Sequence, residues 1–154
     1  MAGPMAHSRA RRNPADGRAP VRRAGATVGT VFLLIGALGF LPGITSDYGD
    51  LRLAGHQSGA ELFGVFQVSV LHNLLHLGFG VAGLALSRTV RLARAYLVGG
   101  GAVYLVLWLY GLAVDERSAA NVIPVNAADD ALHLGLGLGM LALALLAGRD
   151  GDRR

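Results

Sequence analysis

The chain has 154 residues, of which 53% are apolar and 16% charged, and its mean hydropathy is +0.47. A soluble domain of this size cannot bury so much apolar surface, because too much of its volume lies near its boundary. Cysteine and lysine are both absent, and all 14 basic residues are arginine. This excludes disulfides, thiolate metal sites, cysteine nucleophiles, Schiff-base lysines and phosphate-loop lysines.

In chain order, residues 1–23 form an Arg-, Pro-, Ala- and Gly-rich head that reads as disordered. Four uncharged stretches follow: Ala24 to Leu41, Leu62 to Leu86, Ala95 to Val114 and Ala131 to Ala147. About 20 apolar residues in a helix cross ~30 Å of hydrocarbon, and lipid offers backbone groups no partners, so continuous helices are required. Residues 24–147 are therefore expected to form an all-α membrane protein, a four-helix transmembrane bundle. Residues 148–154 form a short tail. No small-x-small cleavage site follows the first apolar run, so it is expected to remain as an uncleaved span.

Arginine placement orients the spans. The head carries Arg9, Arg11, Arg12, Arg18, Arg22 and Arg23; the second turn carries Arg88, Arg91 and Arg94; the tail carries Arg149, Arg153 and Arg154. Only Arg52 and Arg117 lie in the other loops, where most of the acids gather. The positive-inside rule places both termini in the cytoplasm, with the plasma membrane as the expected location. The net charge of +4 is then a topology signal suited to anionic headgroups, and no nucleic-acid partner is expected. The expected partners are the lipid bilayer and a second copy or another membrane protein.

Small residues let helices approach in lipid, and Gly25 and Gly29 in the first span match Gly135 and Gly139 in the fourth in their spacing of four. Tyr104, Trp108 and Tyr110 suit an interfacial aromatic belt. A repeat is also visible: residues 73–86 and 130–143 align with Asn73 on Asp130 and His76 on His133, eight of fourteen positions being identical. Two duplicated helical hairpins related by a pseudo-twofold along the membrane normal would produce it.

Ionisable and polar groups inside a membrane are costly and are candidate sites. Ser69, His72, Asn73 and His76 follow helical spacing and share one face, which Glu61 would extend outward; Gln67 is a further polar residue of the same span. His133, with Asp129 and Asp130 one turn before it, supplies a partner. Three roles compete for this layer. One is structural, with cross-helix hydrogen bonds that fix packing. Another is haem or a divalent metal held by His72, His76 and His133. The third is proton or ion handling. Two histidines four apart can grip one metal, although Asn73 stands where a zinc-protease helix has its glutamate. Opposite haem faces would need His133 with His72 or His76. No nucleophile elbow or carboxylate pair in an apolar cleft is present, so no enzyme activity is expected. The leading expectation is a structural or accessory membrane component, with haem or metal binding as the alternative.

Several segments resemble an actinobacterial membrane protein family catalogued as domain of unknown function 4383. They are Gly36 to Thr45, Phe66 to His76, Tyr104 to Gly111, Pro124 to Asn126, and Asp130 to Gly135, within a resemblance spanning Ala24 to Leu146. It implies a four-helix integral membrane protein and supplies no catalytic residues.

Overall fold

The computed structural model describes residues 20–152, with side chains described as far as residue 146. Most of the head expected to be disordered, and the last two residues of the tail, lie outside the described residues.

Among the described residues the chain is all-α apart from one small sheet and a short 3-10 turn at Tyr48–Asp50. Helix α1 spans Pro20–Leu38, α2 Val70–Leu86, α3 Val90–Ala113 and α4 Ala127–Asp152. Three of them, α1, α3 and the Ala127–Leu146 part of α4, are long and apolar enough to cross a membrane. At 1.5 Å per residue, the 17 residues of α2 reach about 26 Å. Large apolar side chains face outward along all four helices: Leu34 is 57% exposed, Val81 61%, Val106 64% and Leu145 69%. A water-soluble fold would hide these positions; lipid is their natural solvent.

Sequence sets the helix ends locally. Pro20 takes the first position of α1, where its missing N–H costs nothing. Ser69 caps α2 by accepting from the His72 N–H, and Thr89 caps α3 by accepting from the Leu92 N–H. Asn126 Oδ1 accepts from the N–H groups of Ala128 and Asp129, while the Asp129 carboxylate accepts from the Asn126 N–H at 3.1 Å. This is the reciprocal logic of a capping box.

Helix α2 is shorter than its apolar run. Residues 62–69, expected in helix, instead belong to a cap. Strands β1 (Thr45–Ser46), β2 (Glu61–Leu62) and β3 (Phe66–Gln67) form an antiparallel sheet in that order, with Leu62 opposite Phe66. The turn between β2 and β3 places Phe63 and Gly64 at positive φ, 57° and 67°. The apolar residues of this stretch pack on one another: Ala60, Leu62 and Val68 are buried with Ile35, Leu38, Ile44, Leu51 and Phe66 against them. Hydropathy alone reads such a folded apolar cap as more membrane helix. The other boundaries also move: α1 begins before residue 24, α3 before 95, and α4 runs from before 131 past 147.

Helices α1 and α2 form one antiparallel hairpin, and α3 and α4 a second, and the two are near copies. One constant offset carries Gly29, Phe32, Leu33 and Gly39 onto Gly101, Tyr104, Leu105 and Gly111; another carries Ser69, Asn73, His76, Gly80 and Leu84 onto Asn126, Asp130, His133, Gly137 and Leu141. The contacts repeat with the residues. A Cβ on Gly29 would lie 2.9 Å from the Gly80 carbonyl and the Leu84 N–H, and one on Gly101 would lie 2.9 Å from the Gly137 carbonyl and 2.8 Å from Leu141. Gly39 abuts the Asn73 side chain as Gly111 abuts that of Asp130. The Phe32 and Tyr104 rings, equivalent under the offset, stack on each other at 5.3 Å and 4°, as self-equivalent positions beside a pseudo-twofold axis do. The duplication read from one helix pair thus extends to both.

A core of Val21, Phe32, Ala93, Tyr96, Leu97, Tyr104, Met140 and Ala144 joins the hairpins. Tyr104 is 4% exposed, so it belongs to this core and not to an interfacial belt. At the arginine end, Arg22 donates to the Ser87 carbonyl at 3.0 Å. At the opposite end, loops tie the hairpins together: Gly55 N–H to the Val122 carbonyl at 2.8 Å, and the Asn126 amide to the Val65 carbonyl at 2.9 Å.

Candidate functional site

The polar layer lies just inside the helix starts at the capped end. His76 and His133 each occupy the seventh position of their helices, about 9 Å along the axis. Both are buried, as is His72. The His72 and His76 rings, one turn apart, stack at 4.6 Å and 6°. His76 meets the edge of Phe32 at 5.5 Å, and His133 meets Tyr104 at the same 5.5 Å. Two equivalent aromatic–histidine pairs therefore flank the Phe32–Tyr104 stack.

Two cavities of about 130 Å³ each open from this cluster. The first is lined by His72, His76 and His133 with Leu75, Phe79 and Leu107, among others; the second by the same three histidines with Leu132, Leu136, Ile35 and Asp129, among others. The repeat offsets exchange Leu75 with Leu132, Phe79 with Leu136, Leu107 with Ile35, and His72 with Asp129, so the cavities are pseudo-symmetric mates. They differ in closure: the cap residues Leu62, Phe63, Phe66 and Val68 cover the second, whereas Val103 and Ile123 border the first.

The remaining expected residues have other placements. Ser69 ends the helix as its cap and does not extend the helical face. Glu61 and Gln67 lie in the sheet, not on an outward continuation of α2. Asn73 and Asp130 turn to their partner helices at Gly39 and Gly111. None of Ser69, Glu61, Asn73 and Asp130 lines either cavity. Asp129, by contrast, is buried, lines the second cavity, and accepts the Gln67 N–H at 3.0 Å. Its signal in the sequence was the repeat: it stands where α2 has His72.

The layer does not work through the cross-helix hydrogen bonds expected of it. His76 Nδ1 lies 3.0 Å from the His72 carbonyl of its own helix, and Ser69 bonds within its own first turn. His72 Nδ1, His133 Nδ1, Asn73 Nδ2 and Asp130 Oδ1 are buried without a protein partner. Contacts from the layer to neighbouring helices are steric and aromatic.

The same geometry bears on metal and haem. Among the described residues, no group of three or more His, Cys, Asp or Glu is disposed to hold a metal ion. An imidazole's lone pair lies in its ring plane, and the near-parallel planes of His72 and His76 do not meet at one ion as arranged. A cavity of about 130 Å³ matches a single six-membered ring, by comparison with the ~150 Å³ cavity that accepts benzene. A tetrapyrrole macrocycle is several times that size.

A family model described as "Domain of unknown function (DUF4383)" matches residues 22–146. Comparison with curated proteins and with solved structures found no match.

Proposed function

Because the chain belongs to the DUF4383 family, whose description names no activity, we propose its role from the site alone: it is a structural or accessory protein of the plasma membrane that crosses the bilayer four times, with the His/Asn/Asp layer fixing how its two hairpins pack. We assign it no catalytic step. The observation that carries the reading is the repetition of one contact set in both hairpins, glycine on backbone and Asn73 or Asp130 on glycine, closed between them by the Phe32–Tyr104 stack. Lipid contacts the outward Leu and Val side chains, and a second copy or another membrane protein is the partner expected for part of that surface. Helix α2 crosses with the help of local thinning of the bilayer, at a cost of fractions of a kcal/mol per Å.

The arginine end faces the cytoplasm in this proposal. The chain has no cysteine, so single substitutions report topology directly. Ser118→Cys and His56→Cys should react with a membrane-impermeant maleimide in intact cells. Thr89→Cys should react only after permeabilisation. Labelling of Thr89→Cys from outside, or of all three sites equally, would overturn the four-span orientation.

A further inference from the structure

We propose that the first cavity is a binding site for a phenolic ring, of the kind carried by hydroquinone lipids and lipophilic phenols, entering from the hydrocarbon. This goes beyond the packing role, which needs no occupant.

Four features of the cavity converge on this ligand. Its volume, about 130 Å³, suits one substituted six-membered ring. Its walls are apolar and aromatic, with Phe79 and Tyr104 able to lie against a ring face or edge. The imidazoles of His72, His76 and His133 border it, and His76, whose Nδ1 is taken by the His72 carbonyl at 3.0 Å, keeps its Nε2 for an occupant. Its mouth is lipid-facing: Leu75 and Val103 line it while remaining 45% and 43% exposed on the outer surface of the helices.

The chemistry of the histidines selects the polar group. A carbonyl can only accept, so His76 Nδ1, 3.0 Å from the His72 carbonyl, carries the proton, and its Nε2 is left as an acceptor. An acceptor inside an apolar chamber calls for an O–H donor. A phenolic hydroxyl can donate to that imidazole. An ether or a quinone carbonyl cannot donate.

The test is saturation binding of 2-decylhydroquinone, kept reduced, to the full chain in lipid nanodiscs, with empty nanodiscs as the blank. The expected result is saturable binding at one site, at least tenfold weaker for 2-decyl-1,4-dimethoxybenzene, which has the same body without O–H. Leu107→Trp fills the cavity from α3 and should weaken hydroquinone binding at least tenfold at unchanged helicity. If that variant loses helicity, Val103→Phe at the mouth provides the same reading. Competition by 4-ethylphenol as effective as by decylhydroquinone would support the site and identify small phenols as its ligands; competition only by the tailed compound would support it and identify a membrane lipid. Uptake that does not saturate, that is equal for the dimethyl ether, or that persists in a folded cavity-filled variant would overturn the proposal.

Discussion

The two hairpins share a backbone plan and differ in a few side chains, and the difference separates what the fold needs from what is free to vary. Both keep glycine where helices touch: Gly29 against Gly80 in the first, Gly101 against Gly137 in the second. Both cap their second helix with a residue that accepts the third N–H, Ser69 in one and Asn126 in the other. Elsewhere volume is conserved by exchange. Where α2 has Gly83, α4 has Met140, whose methyl lies over Gly100, and Gly100 stands where α1 has Val28. Chemistry, however, diverges: His72 faces Asp129 across the repeat, Asn73 faces Asp130, and Phe32 faces Tyr104. Only His76 and His133 are polar, central and identical. That identity keeps an imidazole on each side of the aromatic stack, while the cap closes one cavity and leaves the other bordered by lipid-facing side chains.

Breaking the stack should show the largest effect. Phe32→Ala removes the ring that touches Tyr104, His76 and Phe79, and a buried Phe→Ala change costs about 3–5 kcal/mol. Reversible unfolding in mixed micelles should show a loss in that range, and a loss below about 1 kcal/mol would remove the stack from its central place. Cap equivalence is a sharper and smaller test. Ser69→Ala and Asn126→Ala should each cost about 1 kcal/mol, the latter more, because Asn126 also donates to Val65 and is locked by Asp129. The smallest effect belongs to the loop pair Arg52–Asp50, 3.4 Å apart with both side chains more than half exposed. Arg52→Ala should shift the same unfolding curve by less than about 0.5 kcal/mol.

Much of this plan was legible in the sequence. Charge-free runs located the helices because a membrane span tolerates so few charges, and Asn73-to-Asp130 with His76-to-His133 betrayed the duplication in the second helix of each hairpin. The α1–α3 half was hidden, because Phe32 and Tyr104 are different residues and the glycines around them are common in this chain. Hydropathy misreads the β2–β3 cap for a physical reason: Leu62, Phe66 and Val68 are as apolar as any span, and only the turn at Phe63–Gly64 and the cap at Ser69 divert them into a sheet. The histidines were found as a cluster, but their stacking, and the turning of Asn73 and Asp130 towards glycines, depend on rotamers and helix rotation that spacing does not determine.

The central claim is that two equivalent hairpins are held by matching glycine contacts. Unfolding free energies of Gly29→Ala and Gly101→Ala, beside Gly99→Ala and Gly139→Ala, test it most directly. All four lie within helices, so alanine's intrinsic gain of about 1 kcal/mol is common to them. At Gly29 and Gly101 the added methyl meets atoms under 3 Å away, whereas Gly99 and Gly139 have nothing within 4 Å. The first two should fall below the second two by about 1–3 kcal/mol, and by similar amounts in the two hairpins. Four equal values, or a loss confined to one hairpin, would contradict it.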